Sequence, residues 1–124
     1  MTTPGGSPDG YHTLTTRVVV ADVVAQVAFL RATFDAEGDV VAGRPVELRI
    51  GDSLMMIAEA GERELFPGFL YVYVADADAT YERAVHAGAS TIEAPLDTPY
   101  GDRRAMVRDP FGNLFQIAHR LARP

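Results

Sequence analysis

Apolar and polar positions alternate along this chain with two periods, and the same succession of periods occurs twice. Residues 13–21, TLTTRVVVA, are rich in β-branched side chains, which predicts a strand. One of its faces carries Leu14, Thr16, Val18 and Val20 and is expected to pack beneath a helix. The other carries Thr13, Thr15, Arg17 and Val19 and is expected to line a cleft. Asp22 stands where an N-cap belongs, Val23, Val27, Leu30 and Phe34 repeat at helical spacing, and Gly38 supplies a stop. Short strands are predicted at 39–42, 45–50 and 53–59, with turns at Gly43-Arg44 and Gly51-Asp52.

After a polar, turn-rich connection at 61–68, the pattern begins again. Val72-Tyr73-Val74-Ala75-Asp76 echoes Val18-Val19-Val20-Ala21-Asp22. Asp76 or Asp78 is expected to cap a second helix, with Tyr81, Ala84 and Val85 on its buried stripe and Gly88 at its end. Strands follow at 91–94, 103–108 and 113–119. Residues 52–57 align with 112–117. The pattern predicts one α+β domain of two tandem βαβββ units, 13–60 and 69–120, behind a tail at 1–12 expected to be disordered. The alternative is an α+β domain in which the V-x-V-A-D matches are coincidence.

In the stretch from Tyr100 to His119, the turn Asp109-Pro110-Phe111-Gly112-Asn113 joins two apolar segments. Pro110 fixes φ and Gly112 can take positive φ. The strand after it places Leu114, Gln116 and Ala118 on one face and Phe115 and Ile117 on the other. A polar Gln116 at mid-strand is either part of a site or a satisfied interior amide.

A strand ending in Asp-Pro-x-Gly-Asn, followed by a strand with a polar centre, resembles the end of a vicinal-oxygen-chelate module. That is the superfamily of glyoxalases, bleomycin-resistance proteins and extradiol dioxygenases. With Tyr100-Gly101-Asp102-Arg103, the stretch resembles its PhnB-like branch, and the likeness runs from about Leu14 to His119. The resemblance implies sheets that curl around a cleft with helices outside, and a homodimer. It also implies that metal-dependent members take ligands from the first and last strand of each unit. Carried onto this chain, those positions fall on Thr15, Met56, Phe69 (with Tyr71 two residues on) and Gln116. Zinc asks for about three His, Asp, Glu or Cys donors, and hard cations for several oxygens. This set meets neither demand, so no metal or other cofactor is expected. His12, Glu59 and His119 are the groups that could restore a metal, although Glu59 and His119 have the wrong strand parity for the cleft.

The net charge of −6 argues against a nucleic-acid surface. There is no cysteine for a disulfide, thiolate ligand or nucleophile. No apolar run reaches the length of a membrane helix. The start, MTTPGGSPDG, lacks the basic and apolar regions of a signal peptide, so a cytoplasmic location is expected.

Phe69, Tyr71 and Tyr73 fall on one strand face and could clamp a planar molecule; equally, they could fill a barrel interior or a dimer seam. Met56 adds an adaptable wall or plain core. Arg17 either meets an anionic group of a ligand or pairs with Glu47, Glu59 or Asp102. Arg103, with Asp102 and Arg104, starts a strand at the cleft rim, where it serves ion pairs or reaches ligand. His12 borders the cleft and is the candidate general base, whereas His86 suits the end of the second helix. The favoured function is binding of a small, partly aromatic molecule that can carry an anionic group, without a metal. The alternative is a lyase, isomerase or dioxygenase of the same fold, with a metal or with His12, Tyr71 and Gln116 as its acid-base groups. A third is a partner protein without ligand, its aromatics covered by dimerisation.

Overall fold

A computed structural model describes residues 5–122. The elements run β1 (Thr16–Val20), α1 (Val23–Phe34), β2 (Val46–Ile50), β3 (Ser53–Glu59), β4 (Phe69–Tyr73), α2 (Ala77–His86), β5 (Ser90–Asp97), β6 (Asp102–Arg108) and β7 (Leu114–Arg120). The strands form a three-stranded sheet, β1-β3-β2, and a four-stranded sheet, β4-β7-β6-β5. The first and last strands of each unit lie parallel and side by side, β1 on β3 and β4 on β7.

The two helices begin by the same device. Asp22 accepts from the Ala25 N–H at 3.0 Å, and Asp76 from the Ala79 N–H at 3.1 Å, so Asp76 and not Asp78 is the cap. A side chain at the end of each unit's last strand then satisfies one more first-turn donor. Val23 N–H donates to Glu59 Oε1 at 3.3 Å, and Ala77 N–H donates to His119 Nδ1 at 2.8 Å. This repeat of geometry, more than the repeated letters, shows that the units are equivalent.

The first unit is one strand short of the predicted pattern. Residues 39–42 form no strand. In their place Glu37 makes a single bridge to Arg49, with both N–H···O bonds at 2.9 and 2.7 Å. The chain then turns outward and leaves Val40 and Val41 more than 40% exposed. Gly38 is not the helix stop. Helix α1 ends at Asp35, in the left-handed region at φ 55, whose N–H reaches Arg31 O at 3.1 Å. Gly38 instead allows the close approach of β2, since a Cβ there would stand 2.5 Å from Glu47 O. In the second unit β5 is longer than predicted and contains Pro95, which its edge position and its register shifts accommodate.

Val18, Val20 and Ile57 of one sheet and Val107, Phe115 and Ile117 of the other share one core with Val27, Leu30, Phe34 and Ala84 of the helices. Phe115 packs on Phe29 and Phe34 with ring centroids 6.1 and 5.3 Å away, so the helix of the first unit rests on the last strand of the second. Three positions expected to be buried fall outside it, the first being Thr16, exposed at the start of β1. Leu14 precedes β1 and is 91% exposed, and Val85 is exposed on α2, whose buried positions are Ala77, Thr80 and Ala84.

The Asp109–Asn113 turn docks on the same helix. Asp109 Oδ2 accepts from Gln26 Nε2 at 3.0 Å and Asn113 Nδ2 at 2.9 Å, while Oδ1 accepts from the Phe111 and Asn113 N–H groups at 2.9 Å. Asn113 Nδ2 also donates to Gln26 Oε1 at 2.7 Å, and its Oδ1 accepts from Gly68 N–H at 2.7 Å. The motif thus ties α1, the second unit and the connection between the units into one buried knot.

The first sheet meets the connection between the units where Val19 and Phe66 exchange N–H···O bonds of 3.0 and 2.9 Å. With both helices on one side, the opposite faces of both sheets are left open. Of the expected tail, residues 1–4 lie outside the described residues. From Gly5 onward, Tyr11 N–H bonds Pro8 O at 3.0 Å, and Gly10 lies against Arg49 and Leu54 on the open face of the first sheet. Among the described residues no helix is long and apolar enough to cross a membrane.

Candidate functional site

Cross-strand register decides which side chains meet on the open side. Arg17 stands beside Met56, and Tyr71 beside Gln116. Thr15 lies before β1, and Phe69 pairs with Leu114. The family likeness points to Thr15, Met56, Phe69 and Gln116; of these, the register sets Met56 beside Arg17 and Gln116 beside Tyr71, while Thr15 and Phe69 lie two residues back along the chain from Arg17 and Tyr71. Among Thr15, Met56, Phe69 and Gln116, with Tyr71 and Arg17 beside them, only hydroxyl and amide oxygens could approach a metal, which does not fit either zinc or a hard cation. Glu59 and His119 are engaged with helix N–H groups. His12 is exposed ahead of β1, outside the strands that carry Tyr71 and Gln116. Among the described residues no three His, Asp or Glu side chains gather as a metal site would need.

Val19 of β1 bridges to Phe66 in the connection that leads into β4, and the edges of β1 and β4 form no ladder with each other. The gap between them is a cavity of about 300 Å³, closed by the β2–β3 turn and lined by Thr16, Ile50, Leu54, Met55, Leu70, Tyr71, Val72 and Tyr73. Beside it lies the aromatic row on β4. Phe69 is 63% exposed, Tyr71 38% and Tyr73 60%, so this row is not the interior of a closed barrel within the chain. The Tyr71 and Tyr73 rings are tilted at 54° with centroids 5.2 Å apart. Met56 and Gln116 are half-buried. Arg17 is exposed and joins no ion pair among the described residues. It lines a shallow opening with Val19, Glu62, Arg63, Glu64 and Phe66, so carboxylates as well as a second guanidinium stand around it.

The hydroxyls of the aromatic row reach a buried carboxylate. Asp102 Oδ2 accepts from Tyr71 at 2.6 Å and Tyr73 at 2.9 Å, and Oδ1 accepts from Arg120 Nη1 at 2.7 Å. The Asp102 N–H is held by Thr98 Oγ1 at 2.9 Å. Tyr100 lies 3.3 Å from the Tyr71 hydroxyl and accepts from Arg104 Nη1 at 2.8 Å, while Arg104 Nη2 donates to Glu93 at 2.9 Å. The Tyr71 hydroxyl above all, helped by Tyr73 and Arg120, holds Asp102 below the usual carboxylate value against the cost of burial. Burial, with Asp102 as acceptor, pushes Tyr71 up, and the same carboxylate raises Tyr73. Tyr100 moves the other way, held down by the Tyr71 hydroxyl and the Arg104 guanidinium.

Arg103 is not part of this site. Its neighbours in sequence, Asp102 and Arg104, point to the open face, so alternation sends Arg103 to the helix side. There it pairs with Asp78 at 3.0 Å and Asp97 at 3.2 Å. Parity along this strand was already available from the letters, and it singles out Arg104. Tyr100 and Arg120 had no such signal, because one is in a hairpin turn and the other at the very end of β7.

Asp102 ionises more readily in the folded chain than in the unfolded one. Its stabilising contribution is complete above the ordinary unfolded value, about pH 4, and is lost as pH falls through the lower folded value. Asp102→Asn is therefore expected to be less stable than the parent at neutral pH, with the gap narrowing below about pH 4. Urea midpoints taken from neutral to acid check this, and a gap independent of pH would contradict it.

A profile for the Glyoxalase/Bleomycin resistance protein/Dioxygenase superfamily matches residues 3–117. Among curated relatives, the uncharacterized proteins Mb0911c of Mycobacterium bovis and Rv0887c of Mycobacterium tuberculosis are each 39% identical over 51 residues. Those stretches are 41% of this chain and 34% and 30% of the relatives, so the match spans about a third of their length. Among solved structures, TioX from Micromonospora sp. ML1 superposes with a TM-score of 0.73 at 22% identity, covering 90% of this chain and 98% of that one. A glyoxalase/bleomycin resistance protein/dioxygenase family enzyme from Burkholderia phytofirmans PsJN gives 0.72 at 23% identity, covering 86% and 97%. At these identities the superpositions show a common fold.

Proposed function

From the premise that the chain belongs to the glyoxalase/bleomycin resistance protein/dioxygenase superfamily, we propose that it binds a small, partly aromatic molecule that can carry an anionic group, and that it does so without a metal. The observation that carries this reading is the open aromatic row Phe69, Tyr71 and Tyr73 beside a cavity of about 300 Å³. Apolar side chains left this exposed on a sheet face mark a surface meant to be covered. Stacking on such a face is sequence-neutral and shape-selective, and the row offers both ring area and hydroxyl handles. The set Thr15, Met56, Phe69 and Gln116 supports a metal-free mode, since a thioether and a phenyl ring stand where donors would be needed. We place the chain in the PhnB-like branch on the strength of the Tyr100–Arg103 and Asp109–Asn113 stretches. We take the working form to be a cytoplasmic homodimer in which the second copy covers the remaining open surface.

Binding is tested by thermal shift and calorimetry against aromatic acids, phenols and aromatic natural products, with and without chelator. A hit is expected to survive chelation. Phe69→Ala is expected to weaken it about 5- to 30-fold, the effect of removing one stacked ring, while leaving the melting temperature unchanged, because Phe69 is largely exposed. A silent panel, or affinity that disappears with chelation, would overturn this function. Turnover of a bound compound would replace it with an enzyme of the same fold.

A further inference from the structure

Three phenols stand around Asp102, but their protons are not equally committed. Tyr71 and Tyr73 both donate to Asp102 Oδ2, at 2.6 and 2.9 Å. Their hydroxyl hydrogens are therefore held by a carboxylate that is itself buried and charge-compensated by Arg120. Tyr100 has no carboxylate acceptor. Its proton is shared only with the Tyr71 oxygen across a long 3.3 Å contact, and its own oxygen accepts from Arg104. It is also 52% exposed, at the tip of the β5–β6 hairpin. Of the three hydroxyls, it is the one free to turn toward an incoming molecule.

We propose that Tyr100, seated between Arg104 and Tyr71, is the hydrogen-bond donor that meets an acidic ring hydroxyl of the ligand, so that the molecule bound on the aromatic row is a phenolate. This rests on the binding reading above and specifies its polar end. The charges around the position limit what fits. Arg104 is balanced by Glu93 and Arg120 by Asp102, so a dianion would meet no surplus of positive charge. A pair of phenols that together have lost one proton is well suited. The negative charge sits on the ligand with the proton on Tyr100, or on Tyr100 with the proton on the ligand. Atoms and charge are the same in both, and Arg104 stabilises either. The Tyr71 hydroxyl and the Arg104 guanidinium hold the ionisation of Tyr100 below that of a free phenol, and a hydrogen bond with one ionised partner is stronger than a neutral one.

The test compares para-nitrophenol, whose colour reports its own ionisation, with para-nitrotoluene, which has the same ring and no acidic hydroxyl. The wild-type chain is expected to bind the phenolate at least about tenfold more tightly than the toluene, as a charge-assisted hydrogen bond requires. Tyr100→Phe is expected to abolish that preference and leave para-nitrotoluene binding unchanged. Arg104→Gln is expected to lose the preference as pH rises past the ligand's ionisation. A direct phenol titration is expected to show one of the five tyrosines ionising ahead of the others, with that step absent from Tyr100→Phe. If both compounds bind alike and Tyr100→Phe changes nothing, the phenolate site is wrong and the aromatic cleft stands. If neither compound binds, both are wrong.

Discussion

Phe115→Ala will destabilise the chain by about 3–5 kcal/mol, the usual loss for emptying a large buried aromatic site. Phe115 is the largest of the fully buried side chains, at 1% exposure. It belongs to β7, yet the rings it touches, Phe29 and Phe34, belong to α1 of the first unit. The cavity left behind would be walled by elements from both halves. Neither helix nor sheet can collapse into it without disturbing the other unit, so relaxation recovers little. In urea the midpoint should fall with an unchanged slope, because the chain still unfolds as one body. A loss under about 1 kcal/mol would mean that the halves do not share this core. A double-mutant cycle with Phe34→Ala isolates the contact itself, since the rings touch directly.

Asp109→Ala comes next, with an expected loss of about 3 kcal/mol or more. Four donors converge on its two oxygens, and Gln26, Asp109 and Asn113 are each no more than 3% exposed. Water cannot replace the carboxylate without opening the turn, so each orphaned donor carries a desolvation cost. Asp109→Asn is nearly isosteric but is also expected to lose more than about 1 kcal/mol. Its new NH₂ would face either Gln26 Nε2 and Asn113 Nδ2 or the two backbone N–H groups. Reorienting the amides does not help, because Asn113 Oδ1 is already committed to Gly68 N–H. Thermal melts of the two variants check the order, and an Asp109→Asn as stable as the parent would show that the knot is not closed as described.

The candidate site was partly legible in the letters. Tyr71, Tyr73, Met56 and Gln116 were named from alternation and repeat, and they do share one side of the sheets. Strand parity sets Arg104, and not Arg103, on the open side, and that parity is readable from the sequence alone. Glu59 and His119 were recognised as off the cleft, but nothing in their spacing says that they finish the N-termini of two helices. Tyr100 appeared only as part of a turn.

Local periodicity was enough for the two helices, their Asp caps, most of the strands and the doubling of one unit, because each depends on neighbours a few residues apart. Register, and the contacts that follow from it, came from the folded chain. The pairing of β1 on β3 and of β4 on β7 sets Arg17 beside Met56 and Tyr71 beside Gln116. A bridge at Glu37 replaces a strand at 39–42. Asp102 gathers hydroxyls and a guanidinium from β4 and β7. Pairings of this kind set elements dozens of residues apart against each other. Their energy depends on how well whole faces fit, and no short window of sequence contains that information.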